Sequence, residues 1–387
     1  MGFASGTGHF FLADPADNER IDPESTFSSN HAEIFRSQSA TSAQQWILSC
    51  RFREDSHATG IECYVLSPDA VFCPCEVLVP GLITAAVHDS GIVDDDSSIR
   101  WSRSSAALGH PSAWLNLAKS RIGVVGVGRL GSVIAQHLAA TGVRKLVLVD
   151  PDVVQLHNLG ESIVYRTNDI GENKAMALAR HLENDAPRSS IHAVPLSVSA
   201  REGLEHLKSC DVIFACVDDD AARLTVAGIG MLFHIPIIDA GSSVENSGDT
   251  LGCTVRSQFP MDGCLICRAG GFRDEHGALV RLGSVTTENE FRENRVWYNE
   301  RSGSLMSLNL IAAGYSLRCL EDMFKGTLVK TSGFYLAWNG GEYEAGTIKD
   351  TGRSANGGTG CLCELSGLGD EGVASFREWI AVASANI

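Results

Sequence analysis

An α/β fold, a mostly parallel sheet with helices on both faces, is predicted by three features of the 387-residue sequence. Short apolar runs alternate with helix-length amphipathic segments between residues 121 and 239, the pattern of successive βαβ units. Those runs are continuously apolar rather than alternating, as strands buried on both faces must be. A glycine-rich turn, Gly126-Val127-Gly128-Arg129-Leu130-Gly131, joins the first run to the first helical segment.

Residues 2–42, at the start of the chain, are rich in Ser, Asp, Gly and Asn. Within residues 45–79, Trp46-Ile47-Leu48, Cys63-Tyr64-Val65-Leu66 and Val71-Phe72 read as strands. Asp94-Asp95-Asp96-Ser97-Ser98 reads as a linker, so residues 1–99 are expected to form a smaller N-terminal domain of unknown role. The rhythm changes at Arg121. Strands are predicted over 122–127, 145–149, 191–196, 211–217 and 236–239, with helices over 128–141, 172–183 and 221–233. Leu130, Ile134 and Leu138 give the first of these helices its apolar face. Beyond Gly241 the alternation stops. A strand at 251–259 precedes a polar crossing loop, about residues 268–304, and an apolar helix at 305–324. Strand-like segments 328–338 and 342–349 are joined by Asn339-Gly340, a hairpin signal. A helix is expected over 372–385. The domain expectation is 1–99, 100–363 and a C-terminal tail or helix over 364–387, with no internal repeat.

Composition narrows the function. The formal net charge of -16 argues against sequence-independent nucleic-acid binding, which requires many phosphate-facing Lys and Arg, and favours a basic partner face. No apolar run is long enough to span a bilayer, and residues 1–14 do not read as a signal peptide, so a cytoplasmic protein off the membrane is expected. In that compartment the 12 Cys point to metal ligands or free thiols rather than a disulfide framework.

The glycine turn sits between a predicted strand and helix, the context a nucleotide-binding turn requires. Gly126 permits the tight turn, Gly128 lets the backbone approach phosphate, and Gly131 allows close helix–strand packing. The helix N-terminus offers free N–H groups and partial positive charge. Asp150 ends the next strand, where a carboxylate takes a ribose hydroxyl. These residues leave open which nucleotide binds, NAD included.

The segments from Asp150 onward are distinctive: Asp150-Pro151-Asp152, Leu156-His157-Asn158-Leu159, Ile170-Gly171-Glu172-Asn173-Lys174-Ala175 and Cys216-Val217-Asp218-Asp219. In order and spacing this resembles the ThiF-type superfamily, the ubiquitin-activating enzymes and the bacterial enzymes that adenylate sulfur-carrier proteins. The resemblance covers residues 100–363. It implies a Rossmann-like domain that uses ATP and Mg²⁺ to adenylate the C-terminal glycine carboxylate of a ubiquitin-like or sulfur-carrier protein. By the resemblance Asp150 holds the ribose, Asp152 and Asn158 line the phosphate site, Lys174 binds ATP phosphates, Asp218 binds Mg²⁺ and Arg223 supports the site. Arg100-Trp101-Ser102-Arg103 resembles the family's basic-aromatic-x-Arg signature, whose last Arg reaches the nucleotide of a partner protomer. A homodimer, and a downstream conjugating or sulfur-transfer protein, are implied with it. The chemistry suits these residue types: an ionised carboxylate attacks the α-phosphate without a general base, and Lys, Arg and Mg²⁺ offset the charge growing on pyrophosphate.

One position departs from the pattern. Where the family reads Asn-Leu-x-Arg, this chain has Asn158-Leu159-Gly160-Glu161, an anion in place of a phosphate-binding cation. Arg129 or Arg166 then substitutes for it, or the chain is a catalytically impaired scaffold subunit. Activation of a small-molecule or tRNA carboxylate is a third reading.

Cys264-Leu265-Ile266-Cys267 has zinc-ligand spacing, and Cys361-Leu362-Cys363 supplies a second pair. Together they predict a closed structural Zn²⁺ site with no open coordination position. No Cys lies between Cys267 and Cys319, so a cysteine thioester on the crossing loop is not expected; Ser284, Thr286 and Thr287 are weaker candidates for an oxyester.

Overall fold

A computed structural model of the chain describes residues 10–12, 47–54, 59–66, 72–74, 100–108, 111–160, 162–185, 189–244, 250–260, 262–270, 305–348, 361–370 and 372–376. Glu161, Ser284, Thr286, Thr287 and most of the predicted crossing loop lie outside these residues. The chain divides into two units, Met1–Val93 and Asp94–Ile387.

In the first unit, strands β1 (Phe10–Leu12), β2 (Ile47–Glu54), β3 (Thr59–Leu66) and β4 (Phe72–Pro74) form a sheet in that order. β1 runs parallel to β2, and the other neighbours are antiparallel. The β-rich runs of the sequence therefore fall on β2, β3 and β4.

The second unit opens with helices α1 (Ser102–Leu108) and α2 (Pro111–Lys119). It continues with β5 (Arg121–Val125), α3 (Arg129–Ala140), β6 (Lys145–Val149), α4 (Lys174–Asp185), β7 (Ser190–Val194), β8 (Val212–Ala215), α5 (Asp220–Phe233) and β9 (Ile237–Val244). Then come β10 (Thr250–Gln258), α6 (Met306–Phe324), β11 (Ser332–Asn339) and β12 (Glu342–Thr347). The eight-stranded sheet has the order β12-β11-β10-β9-β8-β5-β6-β7. β7, β6, β5, β8 and β9 are mutually parallel, whereas β10 to β12 extend the sheet antiparallel.

The apolar runs become β5, β6 and β8 because their side chains are covered on both faces. Ile122, Val124, Leu148, Val212, Ile213 and Phe214 are completely buried. α3, α4 and α6 pack on one side. On the other side α5 packs with the Cys264–Cys267 turn, Leu362, Leu365 and Phe376 into one apolar cluster.

Two sequence expectations shift. β9 runs through Ala240-Gly241-Ser242-Ser243 to Val244, because β10 pairs with it residue by residue from Ile237↔Gln258 to Val244↔Leu251. In the β11–β12 hairpin Asn339 pairs with Glu342, so the turn residues are Gly340 and Gly341. Both have positive φ (57° and 93°), as a two-residue hairpin turn of this hand requires.

Candidate functional site

The chain leaves β5 to build β6 and β7 on one side and returns to build β8 on the other. The crevice at the C-terminal ends of β5 and β8 is therefore the switch point at which open α/β sheets bind ligands. The glycine turn comes directly after β5, and Asp218 comes after β8, exposed.

Gly126 has φ +81°, and a Cβ there would stand 2.8 Å from the Cys216 carbonyl oxygen. At Gly131 a Cβ would stand 1.9 Å from the Gly126 carbonyl oxygen, so α3 starts in direct contact with the turn. Gly128 is different: an added Cβ would meet nothing within 4 Å. Arg129 opens α3 half-buried.

Asp150 is 5% exposed. Its carboxylate accepts hydrogen bonds from the Val127 N–H (2.8 Å) and the Asp152 N–H (2.9 Å). Burial pushes its carboxyl up, and the Lys174 charge partly offsets this. Besides its expected ribose role, Asp150 therefore ties the end of β6 to the glycine turn.

The segment 152–174 is zipped to itself. Lys174 N–H donates to the Asp152 carbonyl, Val154 N–H to Glu172 and Gly171 N–H to Val154. The Asn173 side-chain amide donates to the carbonyls of Asp150 (2.9 Å) and Asp152 (3.0 Å). These bonds present Lys174, whose Nζ lies 3.0 Å from Asp152 Oδ2. Burial alone would push the Lys174 amine down; the carboxylates of Asp150, Asp152 and Asp218 outweigh it and hold the ammonium above its ordinary range. Lys174, Asp150, Asp152 and Asp218 thus share one electrostatic field. Asn158 is half-buried, with Oδ1 accepting from the Gln155 N–H (2.9 Å) to cap the short helix Leu156–Leu159.

Two predicted arginines have other surroundings. Arg223, in the first turn of α5, donates from Nη1 to Asp239 Oδ1 (2.5 Å) and from Nη2 to the Ala240 carbonyl (3.2 Å). Asp239, wholly buried, also accepts from Arg256 Nε (2.8 Å) and Nη2 (2.7 Å). Burial would raise the Asp239 carboxyl, but Arg223 and Arg256 hold it below the ordinary range. Arg223 is thereby committed to supporting β9 at Asp239 and Ala240. Arg103 is exposed on α1. The neighbouring Trp101 donates from Nε1 to the Ala140 carbonyl (2.9 Å), at the last residue of α3. The glycine turn is at the other end of that 12-residue helix, about 18 Å away. Arg103 is therefore not brought to its own chain's glycine turn.

Three side chains of this region were missed in the sequence. Asn173 stood inside a recognised motif without an assigned role, whereas Tyr165 and Arg256 gave no signal because their partners are remote in sequence. The Tyr165 hydroxyl donates to the Val127 carbonyl (2.5 Å) and lies 3.3 Å from the Lys174 carbonyl. Asp219 is the N-cap of α5, its side chain accepting from the Ala222 N–H.

The four cysteines predicted as ligands converge. The sulfur atoms of Cys264, Cys267, Cys361 and Cys363 all lie within 4.8 Å of one another. Contacts of 3.8 Å (Cys264–Cys267), 3.4 Å (Cys264–Cys361) and 3.6 Å (Cys267–Cys363) are far longer than a disulfide. They approximate the ~3.8 Å sulfur–sulfur edge of a tetrahedral Zn–S₄ unit. The donor set fits zinc.

No helix among the described residues is long and apolar enough to cross a membrane.

The profile of the ThiF family matches residues 102–296, half of the chain. The adenylyltransferase and sulfurtransferase MOCS3 of Caenorhabditis briggsae is 32% identical over 135 residues, 34% of this chain and 33% of that protein. The sulfur carrier protein adenylyltransferase of Thermus thermophilus is 30% identical over 128 residues, 33% of this chain and 47% of that one. The matched region thus spans a third to a half of these relatives. Among solved structures, E. coli MccB with MccA-N7isoASN superposes with a TM-score of 0.52 at 16% identity, covering 65% of this chain and 72% of that one, a likeness of fold.

Proposed function

The chain belongs to the ThiF family, and from that membership we propose that it uses Mg·ATP to adenylate the C-terminal glycine carboxylate of a ubiquitin-like or sulfur-carrier protein. The observation that carries this reading is Lys174, half-buried in the field of Asp150, Asp152 and Asp218. Relatives named for adenylating sulfur carriers support it.

In the reaction a carboxylate oxygen of the carrier attacks the α-phosphorus. A bond forms between that oxygen and the α-phosphorus, the bond from the α-phosphorus to the oxygen bridging to the β-phosphate breaks, and pyrophosphate leaves with the electron pair. The nucleophile is already ionised, so no base is required. The glycine turn and the first N–H groups of α3 hold phosphate oxygens, Asp150 positions the ribose, and Asp152 and Asn158 flank the phosphates. Lys174 offsets charge that grows on the departing pyrophosphate. Mg²⁺, held by Asp218, would supply further charge neutralisation there. Arg103, remote from its own glycine turn, serves the site of a second copy, which makes the active unit a homodimer. The four cysteines hold a structural Zn²⁺ that fixes the end of β10 against α5.

Calorimetric titration with Mg·ATP and, in parallel, NAD, followed by carrier-dependent pyrophosphate exchange, tests the reading. Mg·ATP binding that Asp218→Ala abolishes, together with exchange, is expected. NAD binding alone overturns adenylation. Mg·ATP binding without exchange for any carrier indicates the scaffold role that Glu161 suggests, with Glu161→Arg as the rescue.

A further inference from the structure

Two consecutive peptide units of the glycine turn are each held by a side chain from outside it. The Gly126–Val127 unit is held through its N–H, which donates to Asp150 Oδ2 at 2.8 Å. The Val127–Gly128 unit is held through its C=O, which accepts from the Tyr165 hydroxyl at 2.5 Å. Among the described residues every peptide bond is trans, so the Gly128 N–H points opposite to the Val127 carbonyl and away from Tyr165. No acceptor among the described residues meets that N–H, and the space beside the Gly128 α-carbon is open. An N–H at the start of a 12-residue helix, unpaired and with its plane fixed, is a preorganised donor for an anionic oxygen.

The same hydroxyl lies 3.3 Å from the carbonyl of Lys174. Tyr165 therefore links the backbone of the two residues that would hold phosphate: the peptide that carries the Gly128 N–H and the carbonyl of Lys174. The Tyr165 ring is buried, so its hydroxyl cannot exchange these partners for bulk water.

We propose that Tyr165 is a positioning residue of the phosphate subsite: its hydroxyl sets the plane of the Val127–Gly128 peptide and its spacing from Lys174, and so determines affinity for the polyphosphate rather than for the nucleoside. The proposal rests on the adenylation reading for the identity of the ligand as ATP; its phosphate specificity stands on this geometry.

Tyr165→Phe keeps the ring and removes the oxygen. Titration of wild type and variant with Mg·ATP, pyrophosphate and adenosine is the test. Affinity for Mg·ATP and pyrophosphate is expected to fall about fivefold, as loss of one hydrogen bond implies, with adenosine unchanged. Equal loss for all three ligands, or no loss for any, overturns the proposal. Should the variant fail to fold, the Gly128 amide resonance of ¹⁵N-labelled wild-type protein replaces it: a shift on adding pyrophosphate supports the subsite, and an unmoved resonance overturns it. If the contrast holds but no carrier supports exchange, the adenylation reading falls and the role of Tyr165 stands. Wild-type protein that binds neither pyrophosphate nor Mg·ATP overturns both.

Discussion

Lys174 Nζ lies 3.0 Å from Asp152 Oδ2, and the Asn173 amide beside it clamps the carbonyl of the same aspartate. The two charges are thus held by backbone geometry rather than by chance proximity of flexible side chains. Lys174→Met is expected to lower pyrophosphate exchange by a factor on the order of 10²–10³, the usual effect of deleting one preorganised charge donor. The amine is held above its ordinary range, so Lys174 stays charged through neutral and mildly alkaline conditions. Exchange should therefore not decline below about pH 10 on its account. A pH profile that falls earlier assigns the alkaline limb to another group.

Asp239 accepts from two arginines at full burial. Removing it leaves two buried guanidinium groups sharing no carboxylate, a cost of about 3–5 kcal/mol for broken buried pairs. Asp239→Ala should lower the unfolding midpoint in urea sharply without changing its slope. A shift of less than about 1 kcal/mol would show that water replaces the carboxylate.

Asp169 contributes to the acid limb of stability. Its side chain is 1% exposed. Burial alone would raise its carboxyl, but His181, the Arg166 N–H and Arg180 donate to it and bring it down to about 2. A carboxyl depressed on folding stabilises above its unfolded value near 3.8, and that contribution is lost as pH falls from there towards about 2. The shift corresponds to about 2 kcal/mol at neutral pH. Asp169→Asn should remove this and flatten the decline of the melting temperature below about pH 4. An unchanged acid limb would place the linkage in other carboxylates.

The four sulfur atoms within 4.8 Å predict about one zinc per chain by elemental analysis. Stripping it should lower the melting temperature by about 5–10 °C, because the ligands join the Cys264–Cys267 turn to a segment nearly a hundred residues later. Protein purified with full stability and no bound metal would make the cluster four thiols packed without an ion.

The switch-point site was legible because parallel strands buried on both faces become continuous apolar runs. Residues 122–127, 145–149 and 211–217 overlap β5, β6 and β8, and the glycine turn marks the bend between strand and helix. Partners remote in sequence leave no such mark. Asp239 and Arg256 face each other only because β9 and β10 pair in one particular register. Tyr165 reaches Val127 across 38 positions, through a fold that single-chain periodicity does not encode. The expected strand 236–239 stops five residues before the end of β9, because Ala240-Gly241-Ser242-Ser243 lacks the β-branched and aromatic residues that signal a strand. The hairpin turn was misplaced by one residue because Asn339-Gly340-Gly341 contains two overlapping turn signals.

Gly131 and Gly128 separate packing from binding within the same turn. At Gly131 a Cβ would fall 1.9 Å from the Gly126 carbonyl oxygen. That is a clash with backbone, which no side-chain rotation relieves. Gly131→Ala should therefore destabilise the fold by several kcal/mol or leave no folded protein, about the upper end of effects seen for single substitutions. At Gly128 a Cβ meets nothing within 4 Å. Gly128→Ala should cost less than about 1 kcal/mol, the usual difference at a helix N-cap. If phosphate occupies that open space, the same methyl group stands in its way, and Mg·ATP affinity should fall tenfold or more while melting temperature barely moves. Thermal melts and Mg·ATP titrations on the two variants check this together. Gly128→Ala binding Mg·ATP as wild type would move the phosphates away from the glycine turn, whatever the fate of Gly131→Ala.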